Sequence, residues 1–268
     1  MSSGDCEGLQ EDLERLYHWC VVNKLSLNIS KCSVMSFTRS KQPVVFPYTV
    51  CGNLLARVSE VRDLGVIFDS RLTFIPHVDQ LVLSVSKVYG FIIRNCRYFT
   101  HTSTFLCLFN ALIRSRLDYG SVAWNPIYNC HRQRIESIQK RFLKYLVWRE
   151  DGVYPVRGSE YGLLLNRFGV SSLEVRRKVL AVKFLYNVVN DITDCPSLLA
   201  MVNFIVRRQN SRSQELFYLR TPRTNLLLQS PIEFMCRTFN TISAVCDINF
   251  DTLPCIIEVL LCSLECEQ

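Results

Sequence analysis

Residues 9–32 read LQEDLERLYHWCVVNKLSLNISKC, and residues 61–69 read VRDLGVIFD. In the first stretch Leu9, Leu13, Leu16 and Cys20 recur at helical spacing with acidic residues opposite, which predicts an amphipathic helix over 9–23 ending at Asn23. From Leu25 to Phe37 the pattern changes. Leu25, Leu27 and Ile29 alternate, and Val34-Met35-Ser36-Phe37 is β-prone, so this segment predicts strand. Val61–Phe68 predicts a second short strand centred on Leu64-Gly65-Val66. Between them lie a polar turn over 38–43, ending in Pro43, and two apolar segments, Tyr48–Val50 and Leu54–Val58. These flank Gly52-Asn53, a hairpin signal. Residues 1–70 therefore read as one helix packed on a small antiparallel sheet.

Beyond residue 70 the period becomes helical. Helices are expected at 76–97, 102–117, 131–149 and 171–190, with turns at Asn125-Pro126 and around Asp151–Gly162. The last stretch has short helical segments broken at Pro222 and Pro231. The expected fold is α+β and mostly helical, in three parts: 1–70, with the small sheet, 71–190, a helical domain, and 191–268, a C-terminal extension.

With 268 residues and 49% hydrophobic content, the chain has the material for a buried core and not the composition of a disordered tail. The longest apolar run, LPCIIEVLLCSL at 253–264, is interrupted by Glu258 and falls short of the roughly 18 residues of a membrane span. MSSGDCEGLQ at the start lacks the basic and apolar regions of a secretory signal. An intracellular protein with no membrane partner is expected, nucleus and cytoplasm not being distinguished. The 13 cysteines include no Cys-x-x-Cys pair. The histidines (His18, His77, His101, His131) do not follow a cysteine pair at zinc-ligand spacing. Cys255, Cys262 and Cys266 have neither the spacing nor the histidine of a zinc knuckle. Reduced, buried thiols and no metal site are expected.

The net charge of +7 is unevenly placed. Asp5, Glu7, Glu11, Asp12 and Glu14 open the chain without a basic residue. The basic excess lies at Arg132–Arg149, Arg176–Lys183 and Arg207–Arg223, the footprint expected of a polyanion-binding surface and also common on ordinary proteins. The helix at 131–149 is the clearest case. Ile135, Ile138, Phe142, Tyr145 and Leu146 form one stripe, while Arg134, Lys140, Arg141 and Lys144 fall opposite. The apolar stripe should face the core. The basic face suits a phosphate backbone, and equally a solvated surface. Trp19, Trp124 and Trp148 read as core residues. Asp118-Tyr119-Gly120-Ser121 has no histidine partner in sequence and supports no hydrolase triad.

Taken in order, these blocks resemble the reverse transcriptases of jockey-type non-LTR retrotransposons, in the stretch downstream of the catalytic Asp-Asp pair. The resemblance continues through GFIIRNCRYF at 90–99, LFNALIRSRLDYGSVAWNP at 108–126, HRQRIESIQKRFLKYL at 131–146, PSLLAMVNFIVRRQNSR at 196–212 and RTPRTNLLLQSPIEFMCRTFN at 220–240. It implies the end of a palm over 1–70, including a primer-grip-like hairpin at Leu64, Gly65 and Val66, followed by a helical, thumb-like region. Asn28 and Lys31 match the family's Asn-x-x-Lys block, whose lysine sits near the incoming triphosphate. There a cation can steady charge building on pyrophosphate. The alternative for Lys31 is a solvated residue at a strand start, and for Gly65 an easing of strand packing.

The resemblance also implies an RNA or DNA template–primer duplex as partner, gripped without regard to sequence. Magnesium would be required only by an intact enzyme, whose carboxylates hold two metal ions. No Asp-Asp pair occurs in the chain, so the chain is expected to lack the first half of the palm and to be inactive alone. Partners could then include that palm half or another protein. The alternative is a non-enzymatic nucleic-acid-binding or interaction module derived from such an element, or a relic without function.

Overall fold

The computed structural model describes residues 3–38, 40, 44–206 and 215–245. Arg207, Arg208 and Arg212, the terminal cysteines and the apolar run at 253–264 lie outside them. The chain divides into two compact units, 1–76 and 77–268.

The first unit opens with helix α1 (Ser3–Val22), followed by a 3-10 turn at Ile29–Lys31. Its strands are β1 (Ser33–Val34), β2 (Thr49–Val50), β3 (Asn53–Leu54), β4 (Ala56–Arg57), β5 (Glu60–Asp63) and β6 (Val66–Asp69). They form three two-stranded ladders: β2 with β3 and β5 with β6 are antiparallel, while β1 and β4 run parallel. A single antiparallel sheet was expected. The β2–β3 hairpin reverses the chain once, so the parallel pairing of Ser33 with Ala56 requires a second reversal between the two strands. Among the described residues, the alternation at Leu25 and Leu27 has no ladder partner.

α1 buries only part of the face expected of it. Cys6 and Cys20 are buried and Gln10, Leu13 and Tyr17 half-buried, whereas Leu9 and Leu16 are exposed. The shift has a polar cause. The Gln10 side-chain amide mimics a strand: its Nε2 donates to Thr49 O at 3.0 Å, and Thr49 N donates to its Oε1 at 2.9 Å. A glutamine docked on a strand turns the helix so that its leucines flank the contact. Trp19 follows them into solvent, against its expected place in a core.

Both hairpins close through a two-residue turn with positive φ at each position: Cys51 (53°) and Gly52 (69°), then Leu64 (44°) and Gly65 (88°). This is the geometry that matches strand twist in tight hairpins. The first turn lies one residue earlier than Gly52-Asn53 suggested, because nothing in a cysteine signals positive φ. After β6, Asp69 organises the exit. It accepts from the backbone N–H groups of Arg71, Thr73 and Phe74 and from Thr73 Oγ1, at 2.7–3.0 Å. Those bonds hold Leu72 and Phe74 at φ 54° and 56°, conformations that cost roughly 1–3 kcal/mol without such support.

The second unit is helical. α2 (Ile75–Asn95) leads into it, and α3 (Thr102–Phe109) runs through a π-helical turn at Asn110–Arg114 into α4 (Ser115–Asp118) and α5 (Ser121–Trp124). α6 (Asn129–Asp151), α7 (Tyr161–Phe168) and α8 (Leu173–Val189) follow, then the short α9 (Pro196–Leu199) and α10 (Asn225–Leu228), and finally α11 (Pro231–Val245). Ile135, Ile138, Phe142 and Leu146 of α6 are fully buried. The Phe142 ring stacks on Phe109 with centroids 4.4 Å apart. Trp124 is buried, its indole N–H donating to Tyr119 O at 2.8 Å. A second core joins α8 to α11: Val182 and Leu185 pack with Phe217, Met235, Phe239 and Ile242. Asn240 pairs there with both backbone groups of Phe217.

Two expectations of burial fail here as well. Trp148 is 44% exposed. Cys51, Cys107 and Cys130 are exposed, while Cys6, Cys20, Cys96 and Cys236 are buried. Burial pushes the Cys236 thiol up to about 12. Among the described residues, no helix is long and apolar enough to cross a membrane.

Candidate nucleic-acid interface

Within the first unit, the two stretches that opened the sequence reading meet at one groove. Its volume is about 640 Å³, and its wall includes Lys31, Leu13, Leu16, Phe37 and the β5 residues Arg62 and Asp63. Lys31 ends the 3-10 turn. Its backbone N–H donates to Asn28 O at 3.0 Å, which fixes the turn and leaves the ammonium exposed. The groove is lined mostly by apolar side chains, with Lys31, Arg62 and Asp63 as its charged residues.

Leu64, Gly65 and Val66 divide differently. Leu64 and Gly65 form the hairpin tip, with Leu64 82% exposed, whereas Val66 is buried and faces the unit's own core. A leucine this exposed at positive φ gains little from packing to set against its backbone cost. Leu64→Asn should therefore raise the urea midpoint, by about 1 kcal/mol of stability. An unchanged or lowered midpoint would show that this backbone carries no strain.

In the second unit, α6 separates its faces as its periodicity requires. Arg134, Lys140, Arg141 and Lys144 lie on the side away from Ile135, Ile138, Phe142 and Leu146. Tertiary packing then makes the four cations unequal. Arg134 is engaged, with an ion pair to Asp79 of α2 at 2.5 Å. Lys140 lies over the Tyr161 ring and Arg141 over the Tyr89 ring, each 5.9 Å from the centroid. Lys144 Nζ reaches Val156 O at 3.4 Å. Cations over rings and carbonyls keep their charge, because none of these contacts supplies an opposing one.

Three other charged groups on α6 and α8, Glu136, Arg176 and Arg177, are structural. Glu136 stands at the N-terminus of α8. Its Oε1 accepts from Glu174 N at 2.6 Å, and its Oε2 accepts from Leu173 N at 3.2 Å and from the Tyr161 hydroxyl at 2.8 Å. Ser172 completes the cap by accepting from Val175 N. Arg177, 3% exposed, lies 4.0 Å from the Glu136 carboxylate, and its guanidinium nitrogens have no hydrogen-bond partner. Arg176 pairs with Asp118 at 2.9 Å. Asp118 is thereby committed and Ser121 is buried, so this segment is part of the scaffold. No signal within ten residues marks Glu136, since its hydrogen-bond partners lie 25 to 38 positions away and Arg177 lies further still.

Two-metal phosphoryl transfer needs converging carboxylates. Among the described residues, no group of three or more His, Cys, Asp or Glu side chains is placed to hold a metal ion.

The chain is related by sequence to the RNA-directed DNA polymerases of non-LTR retrotransposons. It is 38% identical over 77 residues to the RNA-directed DNA polymerase from mobile element jockey of Drosophila funebris, a match covering 28% of this chain and 8% of that protein. It is 28% identical over 166 residues to the probable RNA-directed DNA polymerase from transposon BS of Drosophila melanogaster, covering 59% and 18%. Against the probable RNA-directed DNA polymerase from transposon X-element of the same fly, identity is 26% over 146 residues, covering 52% and 16%. Each match thus spans less than a fifth of the polymerase. No family model matches the chain, and no solved structure matches it.

Proposed function

We propose that this chain is a nucleic-acid-gripping module of reverse-transcriptase descent that does not polymerise by itself. The observation that carries the reading is the solvent face of α6, where Lys140, Arg141 and Lys144 meet two rings and a backbone carbonyl and no carboxylate in these contacts. Contacts of this kind recognise phosphates and not base sequence. The kinship with retrotransposon polymerases supplies the class of polyanion: a template–primer duplex of RNA or DNA. Lys31 and the hairpin tip at Leu64-Gly65 are the further candidates in the first unit. The expectation of inactivity comes from the resemblance, whose polymerases use an Asp-Asp pair that this sequence does not contain.

Two assays on the purified chain test the reading. Three phosphate contacts should lower duplex affinity about 40-fold between 50 and 200 mM salt, from a slope of roughly −0.9 per contact. Affinity that does not respond to salt would remove the phosphate grip. Primer extension with magnesium and deoxynucleoside triphosphates should stay at background. Extension abolished by chelation would show that the chain polymerises after all.

A further inference from the structure

The C-terminal half of the α6 face carries more than charge. Arg141, Lys144, Tyr145 and Trp148 follow one another at positions i, i+3, i+4 and i+7, which places them on a single stripe. Trp148 is 44% exposed and tilts against Tyr145 with centroids 5.7 Å apart, and Tyr154 in the loop beyond α6 is 54% exposed. Tyr89 ties the group together. Its phenol is pushed up to about 12, first by burial and then by Tyr154, with Arg141 opposing.

The acidic residues nearest this end of the helix are already engaged. Arg167 takes Glu150 at 2.8 Å and both oxygens of Asp151 at 2.7 Å. Arg149 turns away to the carbonyl of Arg97 at 3.2 Å and that of Phe99. What remains at the surface is two cations interleaved with exposed rings.

A phosphate-tracking surface needs only the cations. Exposed aromatics add affinity where a ligand offers a flat apolar face, and in a continuous duplex the bases are stacked on one another and out of reach. Unpaired bases present such faces, and aromatic and arginine surfaces hold them without regard to sequence.

We infer that Trp148 and Tyr154, with Arg141 and Lys144, form a stacking platform for unpaired nucleotides, so that this half of α6 holds a single-stranded polynucleotide in addition to a duplex backbone. The inference rests on the reading of α6 as a nucleic-acid surface. Positive charge on Arg141 and Lys144 selects a polyanion, and the rings select one with exposed bases. An acidic peptide satisfies only the first requirement.

The test is fluorescence anisotropy of the full chain with a labelled 12-nucleotide single strand, as DNA and as RNA, and with the 12-base-pair duplex of the same sequence. Trp148→Ala should weaken single-strand binding about 5- to 150-fold and change duplex binding less than about two-fold. Trp148→Phe, which keeps a ring, should retain most of the single-strand affinity and guards against a folding defect. Equal loss for strand and duplex would overturn the platform, as would no loss for the strand or competition by polyglutamate as strong as by the strand. The broader reading fails separately: if Arg141→Glu with Lys144→Glu leaves all binding unchanged, α6 is not the nucleic-acid surface. Loss with both DNA and RNA strands supports the platform for either chemistry, and loss with one alone assigns it to that one.

Discussion

Glu136→Ala should lower the stability of the helical unit by about 3–5 kcal/mol, read as a shift of the urea unfolding midpoint. The carboxylate does two jobs at once. It closes the N-terminus of α8 by accepting from Leu173 N and Glu174 N, and it is the carboxylate nearest the buried Arg177 guanidinium among the described ion pairs. Removing it opens two helix donors and leaves Arg177 in the interior without an opposing charge at contact distance, and the second loss dominates. If so, pairing Glu136→Gln with Arg177→Met should recover much of the loss, because replacing a buried pair by well-packed groups is often neutral. A double variant no more stable than the single ones would show that Glu136 acts through the helix cap alone.

The same residue fixes a sign for pH dependence. Burial raises the Glu136 carboxyl above its ordinary value of 4.5, outweighing Arg177, the Tyr161 hydroxyl and the backbone donors at Leu173 and Glu174. The folded chain therefore holds this proton more tightly than the unfolded chain does. The ionised form costs stability above the raised value. That cost is relieved as pH falls through it and is gone below the ordinary value. Glu136 thus contributes a rise in stability on mild acidification, the reverse of a salt-bridged surface carboxylate. Glu136→Gln should abolish that component, and a pH profile identical in the two proteins would contradict the assignment.

Reversing Lys140, Arg141 and Lys144 together to glutamate should abolish measurable duplex binding at 150 mM salt and flatten the salt dependence that remains. The change replaces three attractions by three repulsions on one face, and each lost phosphate contact removes close to one unit from the salt slope. Arg134→Glu provides the contrast. Arg134 is already paired to Asp79, with both side chains nearly half exposed, an arrangement worth about 0–1 kcal/mol. Its reversal should reduce binding less than any one of the other three. A larger effect at Arg134 would mean that the Asp79 pair opens in the complex.

The elements with a strong period were legible. α2, α6 and α8 match the expected helices at 76–97, 131–149 and 171–190 to within about two residues, because an apolar stripe repeated over four or more turns has a single reading. The small ladders were legible only in outline. Cys51 and Leu64 sit at positive φ where no propensity points, so one turn moved by a residue. The parallel pairing of β1 with β4 depends on how hairpins stack and not on either strand. α1 was found, but not its buried face, since a Gln10–Thr49 contact across 39 positions overrode the leucine stripe.

By itself, the sequence determined that α6 has one apolar and one basic face, and that the chain is similar to the retrotransposon RNA-directed DNA polymerases. Both are carried by local spacing and motif order. Only the tertiary structure decided which charges are committed. Arg134 goes to Asp79, Arg149 to the 97–99 loop, Arg176 to Asp118 and Arg177 to Glu136, while Lys140, Arg141 and Lys144 stay at the surface with the rings of Tyr161, Tyr89 and Trp148 nearby. Apart from Trp148, those partners come from other helices or loops, distant in sequence. Helical periodicity fixes the side of α6 on which a cation emerges, and what it meets there depends on how the other helices pack.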